Sequence, residues 1–265
     1  MKEPLEAAPP ARTANPRSSV WVPLAAIGLA AAASVLGVVF LRSARSISAP
    51  ERDLAAEARA DLERRKFRPL SGPLEALLTD PTYKPIPTQT HPLLGEAAPD
   101  FTLSDTGGKS WTLSERLKDG PIVLVFYYGY HCNHCVSQLF GLHEDIDKFR
   151  ELGAQLVAVS ADPPELTRER YKKYGAFAFP VLSDAGNKVA EAFGTFTPSK
   201  KPGEDGDLLH GTFVIDRTGQ VEWTNRGEGP FTENRTLLVE LAHCEGRLPA
   251  QAIPRANGER KEPKR

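Results

Sequence analysis

Short apolar runs alternate with stretches of helical periodicity between residues 93 and 248. The run 121–128 is apolar on both faces and rich in β-branched and aromatic residues, which predicts a strand buried inside a sheet. Apolar residues from Val136 to Leu152 then recur at helical spacing, and a second apolar run begins at Gln155. This order predicts a β-α-β unit with two parallel strands.

Further elements around this unit complete one predicted α/β domain. A hairpin and a short helix precede the β-α-β unit, and a charged helix, a short strand, a short helix, a hairpin and a last helix follow it. Strands joined through helices in this way predict a three-layer α/β sandwich. The additional elements are predicted at 99–117, 163–174, 179–184, 187–194, 211–224 and 232–243.

An uncharged apolar run occupies residues 20–41, after an N-terminal flank of residues 1–19. The run is long enough to cross a bilayer as a helix, and Arg17 and Arg42 bound it. A cleaved signal peptide has an apolar core of only about 7–15 residues, so we favour a retained single-span anchor over a cleaved signal. The basic residues on the two sides do not decide its orientation.

The segment 42–92 is predicted to be a stalk and a proline-rich linker that join the anchor to the domain. Residues 51–67 place apolar positions on one helical face and charges elsewhere, which favours a solvated helix. Residues 80–92 are proline-rich, which is typical of an extended connector without a core. After the domain, residues 249–265 are polar and basic, and we predict a disordered tail.

Composition narrows the possible functions. A chain of 265 residues can hold one sizeable domain with appendages, and its formal net charge of -1 leaves no global basic field for a nucleic acid. We therefore predict no nucleic-acid partner. The 3 cysteines are too few for a disulfide framework, and two of them form one CxxC, which favours a chemical role.

The CxxC is formed by Cys132 and Cys135 and falls between the predicted strand and the first turn of the predicted helix. Sites form at the carboxyl ends of strands in open α/β sheets, and a helix N-terminus favours a thiolate over a thiol. His131 and His134 beside the cysteines either stabilise a thiolate further or simply face solvent, and the sequence leaves both interpretations open. The alternative is a pair of buried, inert cysteines, because free cysteine is often interior.

Four stretches of the chain carry a family resemblance: "APDFTLSDTGGKSWTLSERLKDGPIVLVFYYGYHCNHC", "LGAQLVAVSADPP", "FPVLSDAGNKVAEAFG" and "HGTFVIDRTGQV". Together they resemble the redoxin group of the thioredoxin-fold superfamily, and within it the alkyl hydroperoxide reductase/thiol-specific antioxidant family of peroxiredoxin-like proteins. The resemblance covers roughly residues 93–248. It implies a thioredoxin-like sandwich with a mixed sheet, and an antioxidant thiol oxidoreductase that reduces hydroperoxides or protein disulfides without a cofactor.

In the mechanism that this resemblance implies, Cys132 attacks the substrate, Cys135 resolves the product to a disulfide, and an unidentified thiol reductant restores both. Peroxiredoxins place a proline seven residues and a threonine three residues before the attacking cysteine. Val125 and Gly129 stand at those positions before Cys132, and the corresponding positions before Cys135 also hold other residues. Thioredoxins carry a cis-proline in the neighbourhood that His210 occupies here.

Two other classes of function remain open at the level of sequence. Sco-type copper chaperones share the fold and a membrane anchor, and Cys132, Cys135 and His210 could together bind copper. A tethered interaction module with incidental thiols is the other alternative, and Cys244 is interpreted as a packing residue. For an anchored thiol oxidoreductase we expect a catalytic domain outside the cytoplasm, where disulfides persist.

Overall fold

The computed structural model describes residues 52–201, 203–249, 253–254 and 260–261. The described residues from Asp53 onward form one compact unit. The predicted flank 1–19, the predicted anchor 20–41 and most of the predicted tail 249–265 lie outside the described residues. Within the part of the chain that the structure describes, no helix is long and apolar enough to cross a membrane.

Between residues 99 and 244, most helices and strands follow the order that the apolar periodicity predicts. The helices are α1 (Leu54–Arg64), α2 (Leu74–Thr79), α3 (Leu113–Arg116), α4 (Asn133–Glu144), α5 (Ile146–Glu151), α6 (Pro164–Tyr174), α7 (Lys188–Ala192) and α8 (Asn234–Cys244). The strands are β1 (Thr102–Asp105), β2 (Ser110–Thr112), β3 (Ile122–Phe126), β4 (Gln155–Ser160), β5 (Val181–Ser183), β6 (Phe196–Thr197), β7 (Asp207–Leu208), β8 (His210–Ile215), β9 (Val221–Gly227), β10 (Ile253–Pro254) and β11 (Arg260–Lys261).

The main sheet has seven strands in the order β2-β1-β5-β4-β3-β8-β9. Strands β3, β4 and β5 run parallel, whereas β1, β2, β8 and β9 pair antiparallel with their neighbours, so the sheet is mixed. The predicted parallel β-α-β unit is confirmed, because β3 pairs with β4 from Ile122↔Gln155 onward. The pairs β6–β7 and β10–β11 form two separate two-stranded ribbons.

The main sheet separates the core into two apolar layers, and strand β3 contributes side chains to both. Successive side chains of a strand point to opposite faces, so Val123 and Val125 join one cluster while Leu124 and Phe126 join the other. The first cluster contains buried residues of α1, α4, α5 and α8, and the second contains those of α3 and α7. Helices therefore cover both faces of the sheet, in the layered arrangement of a thioredoxin-like α/β fold.

The helical periodicity from Val136 to Leu152 belongs to two helices, not one. Helix α4 ends at Glu144, and α5 begins at Ile146 after a break at Asp145. The carboxylate of Asp145 is buried, where it accepts hydrogen bonds from the Leu70 backbone N–H at 2.7 Å and from the Asn234 side-chain amide at 2.8 Å. Both partners are distant in sequence, so no local pattern indicates that Asp145 is buried.

The helix predicted within residues 51–67 is present as α1, but the prediction that it is solvated is wrong. Leu54, Ala58 and Leu62 are buried and belong to the cluster that α4 also lines. The first turn is capped at Asp53, whose carboxylate accepts a hydrogen bond from the Ala56 N–H. The predicted stalk is therefore part of the domain and covers the helix that begins beside the CxxC.

The proline-rich segment is also bound to the domain, at the edge strand β9. The indole N–H of Trp223 donates to the Ile86 carbonyl at 3.0 Å, and the Gln89 N–H donates to the Thr224 carbonyl at 2.9 Å. An unpaired strand edge is a site of unwanted association, and this segment covers it. The extended backbone that proline favours serves here as a cover for the sheet edge instead of a free connector.

Candidate active site

The CxxC lies where the sequence places it, between the end of β3 and the first turn of α4. Cys132 occupies the N-cap position of α4, and Asn133 is the first helical residue. The backbone N–H groups of a first helical turn have no partner within the helix, and the helix dipole is positive at that end. Both effects favour a negatively charged sulfur at Cys132 over a neutral thiol.

The two cysteines are joined as a disulfide, with Cα atoms 5.4 Å apart. Their environments differ: Cys135 is fully buried among the core side chains, whereas Cys132 is only half-buried at its edge. Of the two sulfurs, that of Cys132 is the one that a substrate can reach from solvent. The alternative of two inert, separately buried cysteines is therefore not what the structure contains.

A tight loop holds Cys132 in place from the β4 side. Gly129 has φ +96°, a conformation that residues with a side chain rarely adopt. The carboxylate of Asp162 accepts a hydrogen bond from the Tyr130 N–H at 2.8 Å, and a Cβ at Gly129 would lie 2.6 Å from that carboxylate. Burial raises the pKa of Asp162, although the hydrogen bond from Tyr130 and the positive field of His131 partly oppose that shift.

Replacing Gly129 with alanine should therefore destabilise the fold by two effects. The backbone strain should cost about 1–2 kcal/mol, and the contact with Asp162 should add about 1–3 kcal/mol, because that carboxylate cannot move without losing Tyr130. Gly108→Ala is the matched control, since Gly108 has φ +80° with nothing within 4 Å of its Cβ position. Urea unfolding measures both variants. Equal losses at the two glycines would contradict the role of Asp162.

His134, between the two cysteines, is paired with a residue that the sequence did not single out. Its Nδ1 lies 2.8 Å from Oδ1 of Asp61, a buried carboxylate on α1. The other carboxylate oxygen accepts from Arg65 Nε at 2.7 Å and from Ser137 Oγ at 2.9 Å. Burial alone would raise the pKa of Asp61, but the hydrogen bonds from Arg65, His134 and Ser137 outweigh it and lower the pKa to about 2.

The depressed pKa of Asp61 should appear in the acid stability of the protein. Asp61 has a pKa near 3.8 in the unfolded chain and about 2 in the folded protein, so the unfolded chain takes up the proton first as the pH falls. The stabilisation is therefore complete above about pH 4 and is lost as the pH falls towards about 2. Asp61→Asn should be less stable than wild type at pH 7, and the difference should shrink over that acid window. Chemical unfolding at a series of pH values tests this. A difference that does not change with pH would contradict it.

A second histidine lies at the start of β8, in the position that the sequence analysis compared with the cis-proline of thioredoxins. Strand β8 lies inside the sheet, and His210 is 3% exposed. Its ring stacks on Tyr128 with centroids 4.4 Å apart, and Nδ1 lies 3.1 Å from the Glu228 carbonyl oxygen. Burial, with smaller effects from Arg65 and His134, lowers the pKa of His210 to about 4, so the ring is neutral near pH 7.

The proposed copper ligands do not form a metal site. Among the residues that the structure describes, no group of three or more His, Cys, Asp or Glu side chains is arranged to hold a metal ion. Cys132 and Cys135 are bonded to each other, and His210 donates its Nδ1 proton to a carbonyl. The Sco-type alternative is therefore not supported.

The third cysteine, Cys244, is a free thiol at the end of α8. It packs against the apolar cluster on the α4 face of the sheet. Burial raises the pKa of this thiol, and the negative charges of Glu222, Asp216 and Glu240 raise it further. A thiol that resists ionisation is a poor nucleophile, which agrees with a packing role.

Sequence reasoning placed Cys132, Cys135 and the neighbouring histidines, but it missed Asp61 and Asp162. One signal for Asp61 was present, because it falls on the same helical stripe as Leu54, Ala58 and Leu62. An acidic residue on an otherwise apolar stripe indicates a buried partner. Nothing local marks Asp162, since its bond to Tyr130 joins residues 32 apart.

A mixed thioredoxin-like sheet with a disulfide at a helix start defines the class of this domain as a peroxiredoxin-like thioredoxin fold. The AhpC/TSA family matches residues 94–224, so this part of the chain is similar to that family. The chain is similar to a chloroplastic peroxiredoxin Q of Populus jackii, 35% identical over 135 residues, and to one of Oryza sativa subsp. japonica, 35% identical over 136 residues.

These alignments cover 48% and 49% of this chain and 57% of each relative, so the chain spans a little over half the length of the curated relatives it matches. Among solved structures, it is similar to peroxidoxin BcpB from Mycobacterium tuberculosis, at 29% identity with a TM-score of 0.49. That similarity covers 60% of this chain and 100% of the other.

Proposed function

We propose that this protein is a thiol oxidoreductase of the peroxiredoxin type, with Cys132 as the nucleophile and Cys135 as the resolving thiol. The observation that carries the proposal is the disulfide between a half-buried N-cap cysteine and a fully buried cysteine one helical turn later. The reachable sulfur sits at the positive end of α4, where its thiolate is stabilised. The buried sulfur is already within bonding range, so it can close the intramolecular bond.

A hydroperoxide is the first candidate substrate, because the chain is similar to relatives named peroxiredoxin Q. The Cys132 thiolate attacks one peroxide oxygen, the O–O bond breaks, and an alkoxide leaves and takes up a proton. The product is a sulfenic acid on Cys132. The Cys135 thiol then forms an S–S bond with Cys132 and releases water, and an external reductant with two thiols restores the dithiol while it becomes a disulfide.

A protein disulfide is the second candidate substrate. It is favoured by Val125 and Gly129, which stand where peroxiredoxins carry the proline and threonine before the attacking cysteine. In this route Cys132 displaces one sulfur of the substrate disulfide, and Cys135 then displaces the substrate from the mixed disulfide. Both routes end in the same Cys132–Cys135 bond, so the oxidised state alone does not distinguish them.

Turnover assays on the full chain separate the two routes. With dithiothreitol as the electron donor, we expect consumption of hydrogen peroxide or an alkyl hydroperoxide to exceed the rate without protein. Reduction of insulin disulfides under the same donor measures the second route. If insulin is reduced while hydroperoxides are not consumed, the disulfide route replaces the peroxide route. If neither substrate is turned over, the proposed function is wrong.

We also propose that residues 20–41 anchor the protein in a membrane with the domain outside the cytoplasm. The support is the uncharged length of that segment and the chemistry of a dithiol centre, whose disulfide persists in oxidising compartments. In membranes of expressing cells, the full chain should resist extraction by carbonate at high pH, whereas a chain that begins at Arg52 should be released. Release of both chains would contradict the anchor. Protease digestion of intact cells or spheroplasts tests the orientation.

A further inference from the structure

The carboxylate of Asp61 links the N-terminal helix to the CxxC turn. Its side chain is only 4% exposed, and His134 Nδ1 lies 2.8 Å from Oδ1. His134 stands between Cys132 and Cys135 in the first turn of α4, so any group that holds His134 acts on the turn that carries both sulfurs. Asp61 lies outside residues 94–224, the part of the chain that matches the AhpC/TSA family.

Several bonds fix the position of the Asp61 carboxylate itself. Ser137 Oγ donates to Oδ2 at 2.9 Å, and this serine is fully buried on α4. Arg65 Nε donates to the same oxygen at 2.7 Å, and Arg64 donates to Oδ1 at 3.0 Å. The carboxylate is thus bound to both α1 and α4, and these partners hold it in one orientation.

The charges around this carboxylate decide which nitrogen of His134 carries the proton. Asp61 is ionised at neutral pH and can only accept hydrogen bonds, so Nδ1 of His134 must be the donor. The Nε2 atom is then the nitrogen left to exchange protons. The side chain of His134 is 52% exposed, so protons can reach it from solvent. Other charged or titratable groups facing this pair are Arg64, Arg65 and His210, of which His210 is neutral near pH 7.

We propose that Asp61 is a positioning residue that holds His134 as the proton acceptor and donor for the CxxC. This inference rests on the proposed function. The Cys132 S–H bond breaks, its proton passes to His134 Nε2, and a thiolate and an imidazolium result. When the thiolate attacks, the imidazolium returns the proton to the leaving alkoxide or thiolate. Helix α1 then contributes to the site, because its Asp61 carboxylate orients the His134 ring and balances the positive charge of the imidazolium.

The sign of the effect of Asp61→Asn distinguishes positioning from a simple field effect. Removing a negative charge near Cys132 would, through the field alone, favour the thiolate and speed its reaction with an alkylating agent. Loss of the orienting carboxylate would instead leave His134 unfixed and slow that reaction. A decrease in a folded protein is therefore opposite to the field effect, and the double variant with His134→Gln tests whether it passes through His134.

The experiment measures the rate at which iodoacetamide alkylates Cys132 in the full, reduced chain between pH 5 and 9. A background with Cys135→Ser and Cys244→Ser leaves one thiol. We expect Asp61→Asn and His134→Gln each to slow alkylation near pH 6 roughly three- to tenfold, and the double variant to be no slower than either single variant. Asp80→Asn is the matched control, because Asp80 is another carboxylate of the N-terminal segment but is bound to Arg235 on α8. It should leave the rate unchanged.

Two further readouts separate positioning from a loss of folding. Nitrogen chemical shifts of the His134 ring should report the Nδ1–H tautomer in wild type and a loss of that preference in Asp61→Asn. Thermal unfolding should show that the variant is folded at the assay temperature. If it is not, the ring shifts and alkylation rates are compared at a lower temperature, where it is folded.

Contradictory outcomes fall into two groups. An unchanged or faster rate in folded Asp61→Asn, or additive losses in the double variant, would overturn the role of Asp61 while the proposed function stands. The second group concerns the protein that carries only Cys135→Ser and Cys244→Ser. If its Cys132 thiol reacts no faster than an unstructured cysteine peptide at any pH, the proposed function itself fails.

Discussion

Replacing Cys132 with serine in the full chain should abolish turnover of hydroperoxides and of disulfides, with a loss of at least about a thousandfold. A serine hydroxyl is not ionised at neutral pH and cannot form the S–S bond that ends either reaction. The expected loss is the largest that the structure predicts, because Cys132 is the reachable sulfur at the helix start. Steady-state turnover with dithiothreitol as donor measures it.

Two companion variants make this result specific. Cys135→Ser should still allow one attack, so Cys132 should accumulate as a sulfenic acid or a mixed disulfide while multiple turnover falls. Cys244→Ser should retain wild-type turnover, because Cys244 packs against the core and its thiol resists ionisation. Near-normal turnover by Cys132→Ser, or loss of turnover in Cys244→Ser, would contradict the assignment of Cys132 as the nucleophile.

A chain that begins at Leu93 should fail to fold cooperatively, although the family match begins at residue 94. Truncation removes α1 and α2, whose buried leucines include Leu54, Leu62, Leu74 and Leu78. Full burial of each such side chain stabilises a fold by about 1.5–3 kcal/mol, an upper estimate. Their combined contribution is of the same order as the whole stability of a typical domain, roughly 5–15 kcal/mol.

Truncation also removes hydrogen-bond partners of buried polar groups, which lowers the free energy of unfolding further. Without residues 52–92, the buried Asp145 carboxylate loses the Leu70 N–H, and the Trp223 indole loses the Ile86 carbonyl. An unpaired buried polar group costs about 1–3 kcal/mol. Circular dichroism with urea unfolding should show a broad, weak transition for the chain that begins at Leu93 and a sharp one for the chain that begins at Arg52. Equal midpoints would mean that the N-terminal segment is only loosely attached.

The sequence was most informative where local periodicity and tertiary burial agree. Strand β3 is apolar on both faces because both faces are buried. The CxxC follows directly after this strand, so it falls at the carboxyl end of the strand and the start of the next helix. The parallel pairing of β3 and β4 and the position of the CxxC at the start of α4 could therefore be predicted. The difference in exposure between Cys132 and Cys135 also follows from the start of α4 at the surface and its continuation into the core.

Sequence reasoning failed where burial depends on partners far along the chain. Helix α1 has few large apolar residues, and its stripe relies on Ala55 and Ala58, so the charged residues around it suggested a solvated helix. The proline-rich segment has no apolar pattern, because it is held by backbone bonds to β9 and not by a core of its own. His210 lies inside the sheet because β8 pairs with the distant strand β3 on one side and with β9 on the other.

The most direct test of the redox centre is to map the cysteines by mass spectrometry after the fully reduced chain has reacted with one equivalent of hydroperoxide or of a disulfide. The structure predicts an intramolecular Cys132–Cys135 disulfide with Cys244 still a free thiol. In the Cys135→Ser variant, it predicts a dimedone adduct or a mixed disulfide on Cys132 alone. Oxidation that leaves Cys132 reduced, or that appears first at Cys244, would contradict the assignment of Cys132 and Cys135 as the reactive pair.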